Sequence, residues 1–371
     1  MPLCVDLFSG GGGFSMGFKA AGFQTIGFEY DKNISHNANK NGLNTITIDI
    51  NKKTDEVIDI IRQTKTKVDV IVGGPPCQPF SRANMHRKGD KDDRNGIPTF
   101  LKVVQAIQPK IFIMEEAPTL LGVYKDYFIG VISDMEKLGY SIEYKKVDMS
   151  HFMVPQRRRR TIVVGHRGNK SILHDLTKDK TPVRCLLKRS EIEAVKMLKD
   201  NEPPTDSNFL NDATPFQTVS RIPVRVEKRL ERFESTEFSR IIDINRPANT
   251  LTIGGCAYSS LRAMQNTGLR FLLVNKFDKW KLVDKMLTKE VYHSRKNRAI
   301  RGLTVHEIRR IQTFPDSYHF SAPTSSKRRK IAERIVGNAV PPNFAFVLAS
   351  RIQGKTDHEI IEHVKRNKYT L

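Results

Sequence analysis

The first 165 residues alternate short apolar runs with stretches whose apolar positions recur every three or four residues. Short apolar runs are typical of buried strands, and the wider spacing is typical of amphipathic helices. The predicted strands cover residues 3–8, 24–29, 45–48, 68–72, 110–114, 140–147 and 161–164, and the predicted helices cover residues 14–21, 32–39, 55–63, 99–107 and 125–138. This alternation predicts an α/β fold with a doubly wound, mostly parallel sheet.

Only a short basic loop joins the last two predicted strands. A short connection favours an antiparallel pair, so we expect the final strand to run against the others. Ligands of such sheets bind at the carboxyl ends of the strands. That edge is predicted to collect the glycine-rich loop after the first strand, Glu29, Asp49, and the loops that begin at Gly73 and Met114.

After His166 the alternation stops, although residues 191–199 keep a helical spacing. We therefore predict a catalytic domain over residues 1–165, a smaller domain over 166–300 and a return segment over 301–371. Within the return segment, Ile308, Ile311 and Phe314 have helical spacing, which predicts core positions.

The distribution of charge along the chain indicates what the protein binds. The chain carries 62 Lys and Arg against 40 Asp and Glu, a net charge of +22, and residues 256–330 alone hold 17 basic and 5 acidic side chains. A basic excess concentrated in one segment favours a polyanion, most often nucleic acid. A solvated basic surface is the alternative reading.

The spacing of the cysteines and the hydropathy argue against a metal-binding, secreted or membrane protein. The four cysteines lie far apart and no pair has C-x-x-C spacing, so we predict no metal site and expect a reducing, cytoplasmic location. No apolar run approaches the roughly 18 residues of a membrane helix, and the amino terminus shows no basic leader. We therefore expect neither membrane attachment nor a signal peptide.

The glycine-rich loop indicates a nucleotide-like cofactor. Gly10 to Gly13 let the backbone approach a ligand closely, and Glu29 ends the second strand 19 residues after Gly10, where an acid binds ribose hydroxyls. The loop lacks the G-x-G-x-x-G pattern: if Gly10 and Gly12 are its first two glycines, Ser15 stands at the position of the third. We therefore infer a nucleoside-containing cofactor that is not a nicotinamide dinucleotide.

Cys77 is held between prolines and glycines in "GGPPCQPFS". A rigid cysteine beside a cofactor can be a nucleophile if positive charge favours its thiolate. The run Arg157 to Arg160 supplies that charge, and strand alternation predicts that Arg158 and Arg160 share one face. Glu115 ends the fifth strand, where a carboxyl group in a closed pocket can serve as a proton donor.

Eight segments follow one another along the chain: "DLFSGGGGFSMGF", "FEYDK", "TIDI", "GGPPCQPFS", "MEEAP", "PQRRRR", "RPANTLTIGG" and "IVGNAVPPNFA". In this order they resemble the motifs of the DNA cytosine-5 methyltransferases of the bacterial restriction–modification type. The resemblance implies that Cys77 attacks C6 of a cytosine flipped out of double-stranded DNA. It implies that Glu115 protonates or hydrogen-bonds ring N3, that Arg160 holds the cytosine O2, and that Arg158 supports the site.

The resemblance also implies the cofactor, S-adenosylmethionine, and the residues that contact it and the DNA. Glu29 would bind the ribose, Tyr30 would pack on the adenine, and Asp49 and Ile50 would contact the adenine edge. The remaining cofactor residues are Phe8, Ser9, Gly10, Gly12, Gly13, Phe14, Pro75, Asn338 and Ala339. The DNA contacts are Gln78, Ser81, Arg82, Gln156, Arg246 and Thr250. A helix over residues 342–352 is expected to fold back beside the first strand, because Asn338 must reach the cofactor.

Two residues depart from the family pattern. Glu116–Ala117 stands where Asn–Val is usual, and Arg159 stands where an acid is common. Neither departure removes a residue that the chemistry requires. The resemblance further implies a monomer, without a stable complex, that shares its target site with a restriction endonuclease.

Three other functions have less support from the sequence. The related transfer-RNA cytosine methyltransferases carry a Cys-Phe-Thr element that is missing here, and "GGCAY" is the closest string. A DNA-binding protein without catalysis is disfavoured by the intact Cys77, Glu115, Arg158 and Arg160. A nucleotide-dependent oxidoreductase is disfavoured by the missing dinucleotide pattern.

Overall fold

The computed structural model describes residues 1–76, 79–80, 88–168, 171–182, 241–243, 247–249, 272–274 and 305–367. Its centre is a seven-stranded sheet in the order β3-β2-β1-β4-β5-β8-β6. The strands are β1 Leu3–Leu7, β2 Gln24–Glu29, β3 Thr45–Thr47, β4 Val68–Gly73, β5 Ile111–Glu116, β6 Ser141–Asp148 and β8 Arg159–His166. The two-residue β7 Gln156–Arg157 precedes β8 and lies outside this sheet.

The first five strands are parallel, and β8 is antiparallel to both of its neighbours, β5 and β6. The predicted fold class and the predicted direction of the final strand are therefore confirmed. The sequence did not predict that β8 lies inside the sheet, between β5 and β6, so that β6 forms the edge.

Helices cover both faces of the sheet. They are α1 Gly13–Ala20, α2 Lys32–Lys40, α3 Thr54–Gln63, α4 Ile97–Ile107, α5 Lys125–Lys137, α6 Val305–Ile311, α7 Ser325–Asn338, α8 Pro342–Ile352 and α9 Asp357–Arg366. One apolar core joins the sheet to α1, α8 and α9, and a second joins its other face to α3, α4 and α5. Burial of both faces explains the nearly continuous apolar runs of β1 and β4.

The helices of the return segment pack against the sheet and against α1 and α2. Helix α8 has the predicted bounds and packs against α1 so closely that a Cβ atom on Gly17 would lie 2.5 Å from the Cβ atom of Ala345. A third apolar cluster joins α6 and α7 to α2, and its members include Ile308, Ile311 and Phe314, as predicted. These contacts bring the loop between α7 and α8 back to the carboxyl edge of the sheet.

Little of the predicted smaller domain falls on described residues. The described strands there are β9 Ile241–Asp243, β10 Ala248–Asn249 and β11 Leu272–Val274. Strand β10 pairs in parallel with β7, which places the backbone of Ala248 and Asn249 beside Gln156 and Arg157, at the start of the arginine run. The helix predicted at 191–199 lies outside the described residues, and the division of the chain into three ranges stays a prediction.

Candidate active site

A cavity of about 350 Å³ opens at the carboxyl ends of β1 to β5, and the loop between α7 and α8 closes its far side. It brings together most of the residues predicted from the sequence. Those that line it are Phe8, Ser9, Gly10, Gly13, Phe14, Glu29, Tyr30, Asp49, Ile50, Pro75, Glu115, Arg158, Arg160, Asn338 and Ala339. The predicted cofactor end and the predicted catalytic end therefore share one cavity.

The glycine loop turns sharply from β1 into α1. Gly10 and Gly12 have φ angles of 55° and 84°, in the region that favours glycine, and Phe8 adopts a φ of 59° without being glycine. Such a conformation persists where the surroundings impose it, often at ligand sites. Gly12 does not line the cavity; it precedes the first residue of α1 and lies against Leu43.

Glu29 ties this loop to the end of β2. Its carboxylate accepts hydrogen bonds from the backbone N–H of Gly10, at 3.0 Å, and of Asp31, at 2.8 Å. Burial raises the pKa of Glu29, although these two N–H groups act in the opposite direction. The carboxylate lines the cavity beside the loop, as the ribose assignment requires.

Buried polar atoms at the other side of the loop fit a cationic ligand. Asp6 and Ser9 line the cavity, and neither Oδ1 of Asp6 nor Oγ of Ser9 has a hydrogen-bond partner among the described residues. The second carboxylate oxygen of Asp6 accepts hydrogen bonds from the N–H of Ser15, at 3.0 Å, and from its hydroxyl, at 2.7 Å. Since S-adenosylmethionine carries a sulfonium and an ammonium group, these acceptors suit it.

Glu115 and Arg160 form the charged centre of the catalytic end. Glu115 is 5% exposed, and its Oε1 lies 2.7 Å from Nε of Arg160. The two atoms form an ion pair without hydrogen-bond alignment, so Oε1 keeps its capacity to bond a ligand in the cavity. A carboxyl group and a guanidinium held together in this way can recognise adjacent ring atoms of a pyrimidine.

Glu116 has a different environment on the opposite face of β5. It is fully buried, and its Oε2 accepts a hydrogen bond from the N–H of Ala117 at 2.9 Å. Burial, and secondarily the charge of Glu115, raise its pKa well above the usual range. Glu116 does not line the cavity.

The four consecutive arginines alternate as predicted. Arg157 and Arg159 are exposed, Arg158 is 1% exposed, and Arg160 faces the cavity. Both terminal nitrogens of Arg158 donate to the carbonyl of Gly337 at 3.3 Å. Arg158 thus links the start of β8 to the carboxyl end of α7, where Asn338 lies.

Gln156 is fully buried, and its side-chain nitrogen donates to Oε1 of Gln312 at 2.6 Å. Gln312 in turn donates to the carbonyl of Ala339. This placement gives Gln156 a packing role among the described residues, and a DNA contact by it stays a prediction. The other predicted DNA contacts, Gln78, Ser81, Arg82, Arg246 and Thr250, lie outside the described residues, as does Cys77.

Sequence reasoning missed several residues that line the cavity, among them Asp6, Arg94 and Arg334. Asp6 stands within an apolar strand, and its single charge carries no periodic signal. Arg334 belongs to the highly charged helix α7, which resembles a solvated surface. Only the fold shows that one turn of that helix reaches the cofactor end.

The described residues show neither a metal-binding cluster nor a membrane-spanning helix. Among the residues that the structure describes, no three His, Cys, Asp or Glu side chains cluster as a metal site would require. Nor does any helix in the same part of the chain have the length and apolar composition to cross a bilayer.

Comparison with known proteins gives one consistent family. The family model described as C-5 cytosine-specific DNA methylase matches residues 3–354. The chain is 30% identical over 372 residues to the type II methyltransferase M.FnuDI of Fusobacterium nucleatum, covering 98% of each chain. It is 28% identical over 362 residues to M.AplI of Arthrospira platensis, covering 94% of this chain and 85% of the relative.

Solved structures share the fold. The DNMT2 of Spodoptera frugiperda, in a mutant form, superposes with a TM-score of 0.62 at 18% identity, over 95% of this chain and 99% of that one. At this identity the likeness concerns architecture alone.

Proposed function

The chain belongs to the C-5 cytosine-specific DNA methylase family and is a DNA cytosine-5 methyltransferase, and from this premise we propose how its residues act. Cys77 attacks C6 of a cytosine that is flipped out of double-stranded DNA, and a covalent bond joins the sulfur to the ring. C6 is enclosed in a stacked duplex, so the base must leave the helix to be reached.

The pairing of Glu115 with Arg160 is the observation that carries the proposal. Attack at C6 places negative charge on the ring, and a proton or hydrogen bond from Glu115 at N3 stabilises it. Arg160 lies 2.7 Å from this carboxylate and lines the same cavity. Its guanidinium orients Glu115 and holds the neighbouring O2 of the cytosine.

The surroundings of Cys77 support a fixed nucleophile. Pro75 and Pro76 precede it and line the cavity. On its other side Phe80 is fully buried, with its ring stacked on Tyr127 at a centroid distance of 5.7 Å and its carbonyl bonded by the Thr119 hydroxyl. Both ends of the short segment that carries the cysteine are thus anchored to rigid elements, as preorganised catalysis requires.

We assign the cofactor end to S-adenosylmethionine, which supplies the methyl group that C5 of the cytosine accepts. Glu29 holds the ribose, Tyr30 and Ile50 flank the adenine, and Asp6 accepts from the ammonium end. Once C5 carries the methyl group, its proton is lost and Cys77 leaves C6, which restores the aromatic ring.

The names of the relatives support a modification enzyme of a type II restriction–modification system. We propose a cytoplasmic monomer that acts on a specific DNA sequence, shared with an endonuclease but without a stable complex. The RNA alternative has less support, since the sequence lacks the Cys-Phe-Thr element of the transfer-RNA branch.

Bisulfite sequencing of DNA from cells that express the protein tests this proposal. We expect 5-methylcytosine at one short sequence motif with the wild type and none with Cys77→Ser, since an alcohol is a much weaker nucleophile than a thiolate. Purified protein with transfer RNA serves as the comparison. Methylated transfer RNA together with unmodified DNA would favour the RNA alternative.

A further inference from the structure

Tyr30 is an exposed aromatic residue in the wall of the cavity. Its side chain lines the cavity directly after Glu29 at the carboxyl end of β2, and the residue is 61% exposed. Ile34 and Ile50 also line the cavity. An aromatic ring in a cavity wall that also carries aliphatic side chains offers a stacking surface for a flat heterocycle.

An exposed tyrosine ordinarily has free choice of rotamer, but Tyr30 has a charged partner on a distant segment. Arg334, on α7, donates from Nη2 to the Tyr30 hydroxyl at 3.0 Å. Its Nη1 donates to Oδ2 of Asp31 at 2.5 Å. The planar guanidinium therefore binds two consecutive residues, more than 300 positions earlier in the chain, through its two terminal nitrogens.

Asp31 is itself fixed. Its Oδ1 accepts hydrogen bonds from the N–H groups of Asn33 and Ile34 at the start of α2, and its own N–H donates to Glu29. Burial disfavours the charge of Arg334, but Asp31 and Tyr30 outweigh that effect and raise its pKa, so the guanidinium stays charged. Arg334 also lines the cavity, so the contact forms part of the cavity wall.

We propose that Arg334 is a positioning residue for the cofactor: it holds the Tyr30 ring in the orientation that receives the adenine. The inference rests on the proposed function, which assigns this end of the cavity to S-adenosylmethionine. Without Arg334 the ring must be ordered when the ligand binds, and ordering one such side chain weakens affinity by roughly three- to tenfold. Glu115 and Arg160 are not in contact with the pair, so the chemical step is unaffected.

A double-mutant cycle on purified protein without DNA tests the coupling. Equilibrium dissociation constants for S-adenosylmethionine and S-adenosylhomocysteine are measured calorimetrically for wild type, Arg334→Ala, Tyr30→Phe and the double variant. Each single change should raise both constants by roughly three- to tenfold. The double variant should be no weaker than the weaker single variant, since both changes remove the same hydrogen bond.

A conservative variant and a control variant distinguish a positioning role of Arg334 from a general effect on the stability of the protein. Arg334→Lys keeps the charge beside Asp31 and should recover part of the affinity. Lys330→Ala removes an exposed charge from the same helix and should leave both constants unchanged. At saturating cofactor, kcat for DNA methylation by Arg334→Ala should match the wild type, while KM for S-adenosylmethionine rises.

Additive losses in the cycle, or unchanged affinity in Tyr30→Phe, would overturn the inference. Tyr30→Phe keeps the ring and the ion pair between Arg334 and Asp31, so it remains informative even if Arg334→Ala fails to fold. Wild-type protein that binds neither ligand would contradict the proposed function instead. These two failures are therefore distinguishable.

Discussion

Two consecutive carboxylic acids on β5 have different environments because strand side chains alternate between faces. Glu115 lies at the cavity beside Arg160, whereas Glu116 is enclosed in the apolar face packed by α4 and α5. Burial raises the pKa of Glu116 well above its usual range, which favours the uncharged form of the acid. The residue that departs from the family pattern therefore lies outside the lining of the cavity.

This difference predicts opposite outcomes for one substitution at the two positions. Glu115→Gln should lower the methylation rate by at least about a hundredfold with little change in DNA affinity, because the proton matters most in the transition state. Glu116→Gln should leave both quantities within about threefold of wild type. Single-turnover methylation and equilibrium DNA binding give the two values, and a larger loss at Glu116 would reverse the assignment.

Asp6 predicts a pH dependence of stability. Burial raises its pKa in the folded protein from 3.8 to about 7. Both states are protonated below pH 4, so folding loses stability as the pH rises from about 4 to about 7, by up to about 4 kcal/mol at 1.36 kcal/mol per pH unit. Asp6→Asn should flatten that part of the profile, measured by urea unfolding of the protein without cofactor. An unchanged slope would contradict the assignment.

At the scale of elements, the close contact between α1 and α8 explains why Gly17 interrupts an otherwise apolar helix. A Cβ atom there would lie 2.5 Å from the backbone N of Phe346 and the carbonyl oxygen of Pro342. Backbone atoms cannot rotate away, so the helices would have to separate.

Gly17→Ala should therefore lower the free energy of unfolding by about 1–3 kcal/mol, despite the better helix propensity of alanine. Gly130 on α5 is the matched control, because nothing lies within 4 Å of its Cβ position. Gly130→Ala should raise stability by roughly 0.5–1 kcal/mol. Denaturant unfolding of both variants measures the difference, and equal effects would contradict this account of the contact.

The central strands and helices were predictable because apolar patterning determines them. The predicted β2 and the predicted α8 match the structure at both ends, and β3 and β4 differ by one residue. The position of β8 inside the sheet was not predictable, since a short loop specifies an antiparallel pair but not which strand forms the edge. The contact of Arg334 with Tyr30 depends on a return of the chain that periodicity does not encode.

At the scale of the whole molecule, the net charge of +22 favours a polyanionic partner such as DNA. Most of the basic segment 256–330 lies outside the described residues, but Lys327, Arg328 and Lys330 are exposed on α7. Phosphate contacts determine affinity and its salt dependence without carrying sequence information directly.

Replacing these three residues with glutamine should weaken binding to target and non-target duplexes by similar factors. If all three contact phosphates, the slope of log K against log salt should decrease by about 2.7, or 0.9 per contact. Replacing Lys65 and Lys67, which are exposed just before the amino end of β4 and thus away from the cavity at the carboxyl ends of the strands, should leave the slope unchanged. An unaltered slope in the triple variant would show that these three residues form a solvated surface and do not contact phosphates.

Covalent trapping tests the central claim most directly, because Cys77 is the proposed nucleophile and lies outside the described residues. A duplex with 5-fluorocytosine at the methylated position should form a stable adduct with the wild type in the presence of S-adenosylmethionine, since fluorine at C5 cannot leave as a proton does. Mass spectrometry should locate the nucleotide on the peptide that contains Cys77, and Cys77→Ser should form no adduct. A wild-type enzyme that methylates the unmodified duplex but forms no adduct, or forms one at another residue, would contradict the account.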